Sequence, residues 1–316
     1  MVFFELAFIP MGREWWLSFF PDWLRILPMS TICDVTSELI ELALREDLGE
    51  DRQAGDVTSL YFVPEERESN AYIHAKAEGV LAGMAVAVEV FRRVDPALQL
   101  TELKKDGDTV SHGDRVLEIS GAARSILTAE RTALNFLQRL SGVASQTRGY
   151  VALTEGTKAK VLDTRKTTPG WRALEKMAVV AGGGNNHRMG LYDRAMVKDN
   201  HLAAQGKMEI LQEAIDQLKS DRPGVEVELE ADTLAQVQSF LGLRGVDYIL
   251  LDNMDCDMMR TAVSMRDDSG ILVLLEASGG VTQQTITQIA QTGVDFISVG
   301  ALTHSAVALD LSLEFE

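Results

Sequence analysis

Residues 225–252 read VEVELEADTLAQVQSFLGLRGVDYILLD. Both ends of this stretch, 225–230 and 247–252, are short runs rich in β-branched and aliphatic residues, the composition of strands. Residues 233–241 between them read as a helix. Strand, helix and strand in so short a space make the repeating unit of a parallel sheet.

The rhythm extends in both directions. AKVLDT (159–164) and RAMVKD (194–199) precede the unit, and ILVLLEAS (271–278) and DFISVG (295–300) follow it. Further helices are predicted over 172–180, 207–219, 256–265 and 282–291. At least six strands in succession, without a Gly-x-Gly-x-x-Gly turn, favour a βα barrel over a doubly wound sheet. In such barrels the site lies at the C-terminal ends of the strands. Those ends are Asp163 to Lys166, Lys198 to Asn200, Glu228 to Glu230, Asp252-Asn253, Glu276 to Gly280, and Gly300. Polar, charged and glycine residues therefore recur along one rim.

The densest part of that rim runs from Asp163 to His201. It opens DTRKTTPGWR and closes AGGGNNHRMGLYDRAMVKDNH, and carries Arg165, Lys166, Arg172, Arg188 and Lys198. A basic run is usually a solvated face. Here several of the cations fall at predicted strand ends, Gly182 to Gly184 let backbone approach a ligand, and Asn186-His187-Arg188 follow almost directly. That pattern suits a highly charged anion.

The rest of the chain is acidic. Its 316 residues carry a net charge of −17, which opposes nucleic acid and anionic membranes. A cation cluster on that background marks a pocket. Cys33 and Cys256 form no disulfide framework or zinc spacing, which fits a reducing, cytoplasmic setting. Residues 1–30 are rich in Phe, Trp and Leu, but Glu5, Arg13, Glu14, Asp22 and Arg25 interrupt them. They match neither a membrane span nor a signal peptide and read as a non-essential extension, with Met11 or Met29 as alternative starts.

Between extension and barrel, helices are predicted over 36–48 and 83–94, and strands over 71–77, 98–103 and after the turn at 104–114. A strong helix runs from Arg124 to Ser141, with Ile126, Ala129, Ala133, Phe136, Leu137 and Leu140 on one face. Arg131 falls on the other face, to be received by water or another surface. Gly142 is predicted to break this helix before a further one to Thr154.

Single groups admit more than one role. Ser278-Gly279-Gly280 before a helix, and Gly300 at the next strand end, suit a phosphate cradle or tight turns. Glu228 and Asp252 suit a divalent cation, ribose hydroxyls or a developing positive charge, or merely cap helices. Glu230 has the parity of Glu228, so periodicity does not choose between them. Lys198 suits an anion or a Schiff base. His187 suits a carboxylate or a structural place.

TAERTALN, SGVAS, DTRKTTPGWR, GGGNNHRMGLYD, VKDNH, VEVELE, LLDN, EASGG and VGALTHS occur in that order. Together they closely resemble the quinolinate phosphoribosyltransferase (carboxylating nicotinate-nucleotide pyrophosphorylase) family, from about residue 35 to the C-terminus. The resemblance implies an α/β fold. An N-terminal α/β sandwich, residues 31–145 with the tail 306–316, packs on an incomplete βα barrel, residues 146–305. It implies a homodimer with a shared active site, sometimes a hexamer, in which Arg131 reaches the partner's site. It implies transfer from 5-phosphoribosyl 1-diphosphate to quinolinate with loss of CO2, with Mg²⁺ and no organic cofactor. By the same resemblance Arg131, Arg165, His187, Arg188 and Lys198 surround quinolinate, and Lys166 joins the phosphate side. Glu228 and Asp252 serve ribose and metal, with Glu228 preferred to Glu230 because it closes a VEVE string. Ser278, Gly279, Gly280 and Gly300 hold the 5-phosphate. The competing readings are a molybdenum-transport-associated paralogue with another substrate, a Schiff-base aldolase, and a non-catalytic anion-binding homologue.

Overall fold

A computed structural model describes residues 34–50, 55–198 and 208–316. The expected extension at 1–30 and the strand end at Asp199-Asn200 lie outside these residues.

The N-terminal half comprises α1 (Asp34–Leu48), α2 (Val57–Phe62), β1 (Glu68–Ala75), β2 (Gly79–Val80), α3 (Met84–Val94), β3 (Gln99–Glu102), β4 (Thr109–Val110) and β5 (Arg115–Ala122). In β1 every second residue, Ala71, Ile73 and Ala75, is buried. Ala71 and Ile73 sit opposite Ile119 and Leu117 of β5 in antiparallel register. That face meets α4 (Ala123–Ala152), on which α3 also packs, with Val86, Val90 and Phe91 buried. A strand near the C-terminus, β12 (Leu311–Phe315), adds to the free edge of β1. The sheet order is therefore β12-β1-β5-β3.

One helix, α4 (Ala123–Ala152), joins the two halves. Thirty residues make it about 45 Å long. It runs through Gly142 without the expected break. A Cβ at Gly142 would lie 2.1 Å from the Val307 carbonyl oxygen, so this glycine lets the C-terminal segment cross the helix. Gly182 and Gly184 act alike: a Cβ at either would meet Thr147 of α4 within 2.7 Å. Gly182 and Gly184 thus serve packing rather than approach to a ligand, while Gly183 takes φ +91°.

The second half contains β6 (Lys160–Leu162), α5 (Arg172–Ala181), β7 (Arg194–Val197), α6 (Met208–Asp221), β8 (Glu226–Ala231), α7 (Leu234–Leu241), β9 (Tyr248–Asp252), α8 (Cys256–Ser269), β10 (Leu274–Ser278), α9 (Ile286–Ala290), β11 (Phe296–Ser298) and α10 (Ala301–His304). Its six strands are all parallel in the order β6-β11-β10-β9-β8-β7. β6 and β7 do not pair, so the barrel is open, and a bridge from Leu162 to Asn185 extends the β6 edge.

Parallel strands buried on both faces usually read as continuous apolar runs. Here only one parity does. Val227, Leu229, Ile249 and Leu251 belong to the hydrophobic core. The other parity of β8 carries Glu226, Glu228 and Glu230. Charged side chains at that depth cost free energy unless paired, so the polar interior is where function is to be sought.

Candidate active site

At the C-terminal strand ends a cavity of about 420 Å³ opens. Arg165, Lys166, His187, Arg188 and Lys198 line it together with Glu230, Asp252, Glu276 and Ser278. A larger hollow, about 620 Å³, lies at the opposite end of the sheet beside Glu226, Tyr248 and Leu272, away from the cation-bearing rim.

The cations are held from behind. The Thr303 hydroxyl donates to the Lys166 carbonyl at 2.8 Å. Arg188 is 8% exposed and donates to the Arg194 carbonyl at 3.0 Å. Burial, and then the neighbouring Arg165, lower its pKa. Arg172 does not reach the cavity; it braces the loop through Thr167 and the Met189 carbonyl, each at 3.0 Å.

The segment 185–188 is fixed by a buried pair. Lys176 donates to Asp163 at 2.6 Å and to the His187 carbonyl at 2.9 Å. The His187 N–H donates to the same carboxylate at 2.7 Å. Turning the Asn186 amide lets it donate to Asp163 and to the Lys176 carbonyl, each at 3.1 Å.

Of the two candidate carboxylates on β8, Glu230 lines the cavity. It is ion-paired with Lys198. Glu228 lies two residues deeper, is fully buried, and faces His187 and Arg194. The preference for Glu228 as the carboxylate beside the ligand is therefore corrected to Glu230. Same-face alternation put both on the interior, and only depth separates them. Asp252 sits beside Ser278 on the adjacent strand.

The glycine rim also differs from expectation. After Ser278 the next helix begins only at Ile286, so the Ser278-Gly279-Gly280 turn is not itself a helix N-terminus. Gly279 has φ +99°, and a Cβ there would lie 2.1 Å from Asn253 Oδ1. Gly300 stands beside the Lys166 side chain and the His304 ring, both within 3.2 Å of where its Cβ would be. Arg131 is apart from all of this; its side chain is 63% exposed, with Glu130 at 3.8 Å.

Glu276 and Arg194 received no role from sequence. Glu276 is fully buried beneath His187, and Arg194 lies 3.5 Å from Glu228. The signal for Glu276 was its parity with Ser278 on one strand. His187, Glu228 and Glu276 bring one ligand atom each within 4.8 Å of one another, but the Arg194 guanidinium already supplies positive charge there.

Two family models match the chain: quinolinate phosphoribosyl transferase, N-terminal domain, over residues 56–141, and its C-terminal domain over residues 143–314. The chain belongs to the quinolinate phosphoribosyl transferase family. It is 42% identical over 293 residues to a chloroplastic carboxylating nicotinate-nucleotide pyrophosphorylase of Arabidopsis thaliana, covering 88% of this chain and 82% of the relative. It is 42% identical over 269 residues to a probable enzyme of the same name from Bacillus subtilis, covering 85% and 89%. Among solved structures, a nicotinate-nucleotide pyrophosphorylase from Francisella tularensis superposes with a TM-score of 0.82 at 37% identity, covering 91% of this chain and 99% of that one.

Proposed function

We propose that this chain transfers the phosphoribosyl group of 5-phosphoribosyl 1-diphosphate to quinolinate with loss of CO2, giving nicotinate mononucleotide and diphosphate. The observation that carries the reading is the convergence of Arg165, Lys166, Arg188 and Lys198 on one cavity of an otherwise acidic chain. Relatives of 42% identity bear this activity in their names.

The chemistry follows from charge. The pyridine nitrogen attacks C1 of the ribose as the bond from C1 to diphosphate breaks. Positive charge builds at C1, and the carboxylates of Asp252 and Glu230, both in the cavity lining, would offset it. The product ring is cationic at nitrogen. It takes up the electron pair left when the adjacent carboxylate departs as CO2, and a proton from water then completes C2. No organic cofactor is needed for these steps.

Mg²⁺ prefers hard oxygen ligands and keeps several waters. Asp252 and Glu230 offer carboxylate oxygens at the cavity wall and would hold it together with substrate phosphates; bound there, it would neutralise the departing diphosphate. Glu228 does not fit, because it is fully buried and does not line the cavity.

A site lined by several cations favours a diacid, since a monoacid leaves buried charge unpaired. Calorimetry tests this directly. Quinolinate should bind at least tenfold more tightly than nicotinate, and equal affinities would refute the reading. The aldolase alternative fits less well. Lys198 is 43% exposed and paired with Glu230, not desolvated in an apolar pocket as an amine nucleophile is.

The exposed Arg131 is assigned to the cavity of a second copy, which makes the working unit a homodimer or an assembly of dimers. The setting assigned is cytoplasmic, and fractionation tests it. No helix among the described residues is long and apolar enough to cross a membrane, while plant relatives are named chloroplastic or mitochondrial.

A further inference from the structure

At the cavity floor lie two carboxylates that the proposed chemistry does not use, Glu276 in its lining and Glu228 below it. Glu228 of β8 and Glu276 of β10 are both fully buried. His187 Nε2 lies 3.2 Å from Glu228 Oε2 and 3.4 Å from Glu276 Oε1. The Ser298 hydroxyl donates to Glu276 from β11, and Arg194 approaches Glu228 from β7. Three of the four carboxylate oxygens, and His187 Nε2 itself, have no hydrogen-bond partner of good geometry, so the contact between them is one of charge and proximity. Burying two like charges this closely is costly, and an apolar floor would fold more easily.

What the pair grips is the ring that forms part of the cavity wall. The far side of that ring is engaged too: the Arg188 N–H donates to His187 Nδ1 at 2.7 Å. A chain of contacts thus runs from the carboxylates, through the imidazole, to the backbone of an arginine that lines the cavity.

We propose that Glu276 and Glu228 are positioning residues: they hold His187 by Nε2, and through it Arg188, so that the cavity keeps the geometry that receives a planar dianion. In this role the carboxylates act on the dianion through the ring and Arg188. This rests on the reading of the cavity as a quinolinate site. It also gives His187 an orienting part, with Nδ1 hydrogen-bonded to backbone and Nε2 facing the two carboxylates.

The test uses the full-length chain with Glu276→Gln and Glu228→Gln, which keep shape and remove charge. Ser298→Ala, which removes only the hydroxyl donor to Glu276, is the milder variant should either fail to fold. Dissociation constants for quinolinate and for phosphoribosyl diphosphate are measured separately, and the His187 imidazole is followed by nitrogen NMR. Quinolinate should bind about tenfold more weakly, phosphoribosyl diphosphate should change less than twofold, and the His187 signals should shift. Glu276→Asp should restore part of the lost affinity. Unchanged His187 signals would overturn the proposal, and so would equal loss of both ligands alongside a lower melting temperature. If the unaltered chain failed to bind quinolinate, the functional reading would fall, while the His187 signals would still decide whether the carboxylates hold the ring.

Discussion

Lys176 and Asp163 form an ion pair 2.6 Å long in which neither side chain is more than 5% exposed. Burial acts first on both groups, raising the pKa of Asp163 and lowering that of Lys176, and their mutual attraction opposes it. Breaking such a pair leaves one uncompensated charge and costs about 3–5 kcal/mol. Lys176→Met should therefore destabilise the fold by that amount in urea melts. The double change Lys176→Met with Asp163→Asn should recover part of the loss. No recovery would mean that the pair matters for shape rather than charge.

Asp295 ties the base of the barrel. It accepts from the Leu275 N–H at 2.9 Å, from Arg266 at 2.7 Å and from Lys158 at 2.6 Å. Burial alone would raise its pKa, but these donors outweigh it and hold the carboxyl below its ordinary value of 3.8. A depressed folded pKa contributes stability above the unfolded value, and that stability is lost as pH falls through the folded one. Asp295→Asn should cost about 1–3 kcal/mol at neutral pH and make the acid limb of the stability curve shallower. A curve parallel to that of the unaltered chain would contradict this.

Glu230 and Glu228 should separate kinetically. Glu230→Gln should lower kcat at least a hundredfold, about 2.7 kcal/mol of transition-state stabilisation, and change the Mg²⁺ dependence of the rate. Glu228→Gln should act mainly through the KM for quinolinate. Identical profiles for the two variants would show that depth in the barrel does not divide their roles.

Arg131 and Lys198 test the shared site. Each alanine variant should be nearly inactive alone. Mixed and allowed to exchange subunits, they should regain up to about a quarter of full activity, because half the dimers are mixed and each has one complete site. Absence of recovery, with exchange verified, would count against a shared site.

Much of the fold was legible because parallel strands and their helices announce themselves by period. The barrel strands and the rim they share were read from residues such as Val227, Ile249 and Leu275. Gly142, Gly182 and Gly184 misled because close packing of chain segments and helix ending look alike in sequence. Their role became visible only with Val307 and Thr147 beside them. The cations of the site were legible from strand ends. Depth was not: alternation puts Glu228 and Glu230 on one face, and only the packing of β7 and β10 shows which one reaches the cavity. Glu276 was hidden for the same reason, being two residues inward from the serine that marked its strand.

The central claim is that cations gathered at one barrel mouth grip a dianionic ring beside an activated phosphoribose. The most direct measurement is turnover of the purified chain with quinolinate, 5-phosphoribosyl 1-diphosphate and Mg²⁺, with nicotinate mononucleotide and CO2 quantified in the same reaction. The account predicts the two products in equal amounts and no product when nicotinate replaces quinolinate. Phosphoribosyl transfer without CO2, or none at all from quinolinate, would contradict it.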